Sequence, residues 1–196
     1  QPQVTTRLKV IAQKSVDKIT QENLLKLISV LASTAPKLGF ELLDQLLSNI
    51  KTENSCNYKT DRLLKKPSQI NTKQSQDDFL NTAVLKSIID VFSKLGQYDP
   101  DKVLARLFTL SQKTQDTVVL KSIIKALGKL GKHDLEQVLD RLLMLSENTR
   151  DPFVLTSIVS ALGKLSQHDP KNVLARLLTL SEKKQSPFVL ASIVGA

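Results

Sequence analysis

Between Asp116 and Arg150, apolar side chains recur at helical spacing in two stretches separated by a short polar break. Val119, Leu120, Ile123, Ile124, Leu127 and Leu130 share one face of a first predicted helix, which closes at Gly131. Val138, Leu139, Leu142, Leu143 and Leu145 form the apolar face of a second. The two-helix pattern returns along the chain, with LKSIID at Leu85, LKSIIK at Leu120, LTSIVS at Leu155 and LASIVG at Leu190. Each start lies 120 − 85 = 35 residues after the last. A fixed period of this size indicates stacked supersecondary units rather than a single globular core. Neither helix can bury its stripe alone, so neighbouring units must supply the core.

Polar residues punctuate the pattern at fixed places. Asn81, Asp116, Asp151 and Ser186 precede the first helix of successive units, and Asp99, Asp134 and Asp169 precede the second. Their side chains suit the unpaired first amides of a helix. Pro100, Pro152, Pro170 and Pro187 follow four of them, where a fixed φ fits the first helical position. The pattern extends backwards. LLKLISVLA at Leu24 overlays the unit from Asp116 at an offset of 96 and puts Thr20 on the cap position. Because 85 − 24 = 61 = 35 + 26, an insertion of 26 residues follows that unit. Residues 1–51 therefore read as N-terminal units, the first partial, 52–80 as a polar inserted loop, and 81–196 as repeats, the last partial. VTTRLKVIAQ at Val4 resembles VLARLLTLSE at Val173, so the chain opens in a second helix and stops in a first one. With no polar capping helix at either end, a segment of a longer array is expected, with weak self-association through uncapped ends.

The segments SIVSALGKLSQHDPKNVLARLLTLSEK and SIIKALGKLGKHDLEQVLDRLLMLSEN resemble HEAT repeats. The likeness rests on the A-L-G-K-L ending of the first helix, the turn aspartate, and an apolar second helix bearing an arginine. It covers residues 20–51 and 81–196. It implies an all-α fold: a HEAT-like, armadillo-like α-solenoid of antiparallel helix pairs, coiled into a right-handed superhelix, with second helices on the concave side. Such arrays act as scaffolds, so the resemblance implies a protein or peptide partner bound on the second-helix face and no catalysis.

Arg7, Arg106, Arg141 and Arg176 share one position flanking the apolar stripe of the second helix. Partly buried charges are normally paired, and the arginines are expected to reach the turn aspartates Asp99, Asp134 and Asp169, as in the Asp–Arg ladder of HEAT repeats. An anion-binding stripe is the alternative. Outward positions on the same helices vary between repeats and are candidate partner contacts. They include Asp101, Glu136 and Lys171 at one level, Lys102 at the next, then Asp140, and Thr109, Met144 and Thr179 further along. Arg62, Lys65 and Lys66 make the insertion a second candidate contact region.

Charge and composition adjust this picture modestly. Net charge is +9 with a pI near 9.6, which makes a basic solenoid docking on nucleic acid the competing reading. The candidate face is mixed in sign, however, whereas a phosphate backbone rewards uniform Lys and Arg. A helper domain of a larger enzyme, such as a bilin lyase or a signalling nucleotide hydrolase, is a third reading. His133 and His168 recur without clustered cysteines or carboxylates, so neither a metal nor another cofactor is expected. The one cysteine, Cys56, has no partner for an internal disulfide. No phosphate loop, GxSxG elbow or HExxH motif occurs. No stretch approaches the ~20 apolar residues of a membrane span, and a cytoplasmic protein without membrane insertion is expected.

Overall fold

The computed structural model describes residues 6–8, 10–11, 18–54, 72–183 and 187–195. Every regular element among them is a helix. Besides helical residues at 6–8 and 10–11, they are α1 (Lys18–Thr34), α2 (Pro36–Asn54), α3 (Thr72–Leu95), α4 (Pro100–Lys113), α5 (Thr117–Leu130), α6 (Leu135–Asn148), α7 (Pro152–Leu165), α8 (Pro170–Lys183) and α9 (Pro187–Val194). The chain divides into two compact units, Gln1–Val91 and Phe92–Ala196.

In the first unit α1 packs on α2. Leu24, Leu25 and Ile28 from one helix and Phe40, Leu42, Leu43, Leu46 and Leu47 from the other are buried. Two expectations fail here. Thr20 lies inside α1 rather than ahead of it, and Asn81 lies inside α3. The expected loop at 52–80 is also shorter: 52–54 close α2, and 72–80 open α3. The segment TKQSQDDFL contains neither glycine nor proline. Its lysine, glutamines and leucine are good helix formers. Nothing in it stops the helix, which therefore starts well before the first apolar-periodic residue. The remainder of the insertion, with Arg62, Lys65 and Lys66, lies outside the described residues.

In the second unit the 35-residue pattern becomes a pattern of contacts. Consecutive helices pack on each other from α4 to α9. Across repeats, α5 packs on α7 and α7 on α9, while α4 packs on α6 and α6 on α8. First helices thus touch first helices, and second helices touch second helices. The stripe residues fill the space between them: Val119, Ile123, Ile124, Leu127 and Leu130 of α5, with Val138, Leu139, Leu142 and Leu145 of α6, are buried. Burying such a leucine contributes roughly 1.5–3 kcal/mol, so stacking supplies most of what holds each pair of helices. Gly131 is one place where close approach needs the smallest residue, because a Cβ there would run into the Leu165 side chain, whereas at Gly128 it would meet Ala161 at an ordinary 3.4 Å.

The caps act as their chemistry requires. Asp99, Asp134 and Asp169 accept from the amides of Lys102, Gln137 and Asn172 at 3.1, 3.0 and 3.1 Å. Asp116 accepts from Val118 and Val119 at 2.7 and 3.2 Å, and Asp151 from Phe153 and Val154 at 2.8 and 3.4 Å. The buried hydroxyls of Ser111 and Ser146 donate back to the carbonyls of Phe108 and Leu143 at 2.7 and 2.6 Å.

Candidate functional site

The face carrying most of the candidate residues is the outer surface of α4, α6 and α8, all within the second unit. Asp101, Lys102, Arg106 and Thr109 of α4 are exposed, as are Glu136, Asp140 and Met144 of α6 and Lys171 of α8. Arg141, Arg176 and Thr179 are half-buried. The 35-residue stacking brings α4 beside α6 and α6 beside α8, so these side chains form one continuous surface.

Lateral pairing across repeats organises that surface. Arg176 of α8 donates to Asp140 of α6 at 2.8 Å, and one heptad further on Lys183 donates to Glu147 at 2.7 Å. Arg141 of α6 places its guanidinium 3.9 Å from the ring centroid of Phe108 on α4. The expected ladder to the turn aspartates does not describe these arginines. Asp134 and Asp169 lie at helix starts, where their carboxylates accept from amides. Arg176 instead meets a carboxylate in the middle of the neighbouring helix. Asp140, expected as a partner contact, thus also has an internal role. Phe108 and Glu147 were not among the candidates, and a search for charge or ring partners close to one repeat away would have found both.

Apolar groups break the polar surface. Met144 is 42% exposed. On α8, Leu174 is 57% exposed, whereas Leu104 and Leu139 at the same repeat position are fully buried. The second helix of the following repeat covers α4 and α6 on this side; among the described residues none covers α8 there. Leu178 shares this exposed face.

A second linkage lies at the other end of the repeats. The Thr117 hydroxyl of α5 donates to the second carboxylate oxygen of Asp151 at 2.6 Å, tying one repeat to the cap of the next. That hydrogen bond, reinforced by the amides of Phe153 and Val154 and the charge of Lys121, holds the Asp151 carboxyl below its ordinary value against the opposing effect of burial. Hydrogen bonds to the charged form of a carboxyl favour that form.

The described residues contain no cluster of three or more His, Cys, Asp and Glu that could hold a metal. None of their helices is long and apolar enough to cross a membrane. The backbone amides of His133 and His168 close turns onto Leu130 and Leu165 at 2.9 and 3.0 Å, and their side chains are exposed. Comparison with protein-family models, with curated protein sequences and with solved structures finds no match.

Proposed function

We propose that the chain is a HEAT-like α-solenoid with a right-handed superhelical course. Its second-helix face binds a protein or peptide partner, without catalysis of its own. The observation that carries this reading is the lateral engagement of the arginines: Arg176 is neutralised by Asp140, and Arg141 lies over Phe108. A nucleic-acid groove gains affinity by matching each phosphate with an uncompensated cation. Here charges of both signs alternate, and exposed Met144 stands among them. Methionine adapts to irregular apolar partners, and mixed polar rims around such residues suit protein ligands.

The test has two arms. Proteins captured by the intact chain are expected to be lost with Met144→Glu or Glu136→Lys, both at exposed positions that leave the core untouched. Labelled DNA and RNA duplexes are expected to bind weakly at both ~50 and ~200 mM salt. Duplex binding that drops by orders of magnitude over that range, and disappears with Arg106→Glu, Arg141→Glu and Arg176→Glu combined, would overturn the proposal.

A further inference from the structure

Away from the second-helix face, the first helices α5 and α7 flank a cleft of about 440 Å³ at their C-terminal ends. Gly128, Lys129 and Lys132 line it from one repeat, and Gly163, Lys164, Gln167 and His168 from the next. Its volume falls within the ~300–1,000 Å³ of small-molecule sites, and the apolar part of its wall comes from the carbon atoms of glycines and polar side chains. No hydrocarbon side chain and no carboxylate is among the lining residues. The two glycines contribute helix backbone to the wall.

Three lysines, all exposed, line this volume. A helix dipole accounts for Lys129 and Lys164, which sit in the last turns of their helices. It does not account for Lys132, which lies beyond α5 in the turn. Three carbonyls at this end of α7, those of Leu162, Gly163 and Leu165, are engaged, the last by the His168 amide at 3.0 Å. Ser166 donates its amide to Leu162 and Gly163 at 3.1 and 3.4 Å, and its hydroxyl to Gly163 at 2.6 Å. Among the described residues, none of the three ammonium groups has a carboxylate partner. Gln167 and His168 stand 3.2 Å apart through their side-chain nitrogens and add hydrogen-bonding groups to the rim.

We propose that this cleft binds a small, densely phosphorylated anion. Three like charges around so small a space are best compensated by a ligand that brings several negative charges on few atoms. Phosphate groups do this, and lysine binds them as a compact point charge. Carboxylates spread the same charge over more volume. The lining has no Phe, Tyr or Trp face on which a nucleobase could stack, so a polyol or inorganic polyphosphate fits better than a nucleotide. This site is independent of the second-helix face, and either could fail without the other.

The test is calorimetric titration of the whole chain with inorganic tripolyphosphate at ~150 mM salt, where distant surface charge is screened beyond ~8 Å. Saturable binding is expected. Replacing Lys129, Lys132 and Lys164 by Gln should weaken it by at least ~10-fold, since three charge-assisted contacts are lost. The same charge change at Lys102, Lys113 and Lys171, outside the cleft, should leave it within about twofold. Amide resonances of Gly128, Gly163, Gln167 and His168 should shift on titration of the unaltered chain, a readout that needs no variant to fold. The proposal is overturned by no binding at millimolar probe, by equal loss in both triple variants, or by shifts spread evenly over the surface. Tighter binding of an oligoglutamate peptide or a nucleic-acid duplex at the same residues would also overturn it.

Discussion

The hydrogen bond between Thr117 and Asp151 offers the sharpest test of how successive repeats are joined. Asp151 divides its two oxygens: Oδ1 caps α7 through the amides of Phe153 and Val154, and Oδ2 accepts from Thr117. Thr117→Val removes only the hydroxyl while keeping the shape. A hydrogen bond to a charged group contributes ~1.5–3 kcal/mol when desolvated; both residues here are half-buried, so ~1 kcal/mol is expected. Asp151→Ala loses that bond and the cap as well, and should cost ~2 kcal/mol. Urea unfolding of the four proteins of a double-mutant cycle should therefore give a coupling of ~1 kcal/mol at pH 7.

The pH dependence supplies an independent check. The folded carboxyl lies below its ordinary value of 3.8, with the Thr117 hydroxyl as the largest cause. A depressed folded value means the contribution is fully present above the unfolded value of ~3.9 and is lost as pH falls through the folded one. The coupling should hold from pH 7 to about pH 5 and fade below about pH 4. A coupling indistinguishable from zero at pH 7, or one unchanged at pH 2.5, would refute the reasoning.

Other outcomes follow from the same geometry. Leu139→Ala should destabilise by ~2–5 kcal/mol, and Leu174→Ala at the equivalent but exposed position by less than ~1 kcal/mol, as read by chemical unfolding. Equal costs would contradict the stacking of α8 on α6. The Asp140–Arg176 pair should show a coupling of ~0.2–1 kcal/mol that vanishes in ~1 M salt; a larger, salt-insensitive value would mean a desolvated pair. At Gly131 a Cβ would run into the Leu165 side chain, itself buried, so Gly131→Ala should cost ~1–3 kcal/mol in thermal unfolding. Gly128→Ala meets only ordinary contact with Ala161. It should be neutral or stabilising by up to ~1 kcal/mol, because alanine favours the helix.

Much of the second unit was legible because one constraint, burial on two faces of a stacked helix pair, repeats every 35 residues. Spacing alone points to Val119, Ile123, Ile124, Leu127 and Leu130, and all are buried. Leu120 and Leu143 sit at the margins of their stripes and are only half-buried. Caps were legible where a helix has a hard start. At Asp99, Asp116, Asp134 and Asp151 the preceding turn fixes the helix, and the carboxylate finds its amides. At Asn81 the same reasoning failed, because the preceding residues continue the helix and local propensity outweighs the periodic pattern. The Thr117 link escaped for a related reason. Proline takes the equivalent position at 152 and 187, and a residue selected there for its φ has no hydroxyl to reveal that a donor can serve.

The arginine partners were missed through a geometric offset of one residue. Overlaying repeats sets Arg176 opposite Arg141, yet the side chain it meets is Asp140, 176 − 140 = 36 residues away. Lys183 and Glu147 obey the same spacing, 183 − 147 = 36. Side chains on a helix lean toward its N-terminus, so lateral neighbours on stacked helices need not be the residues that an alignment places side by side. The offset explains the exception too. Counting 36 back from Arg141 reaches Ala105, which offers no carboxylate, and Arg141 lies instead over Phe108. At the position of Phe108 the next repeats carry Leu143 and Leu178. Arg141, with no acid at 36, thus rests on an aromatic, while Arg176, with Asp140 at 36, has the aliphatic Leu143 at the position of the ring. Ala105→Asp should therefore draw Arg141 off Phe108, and Phe108→Leu should then cost less in that background than in the native chain.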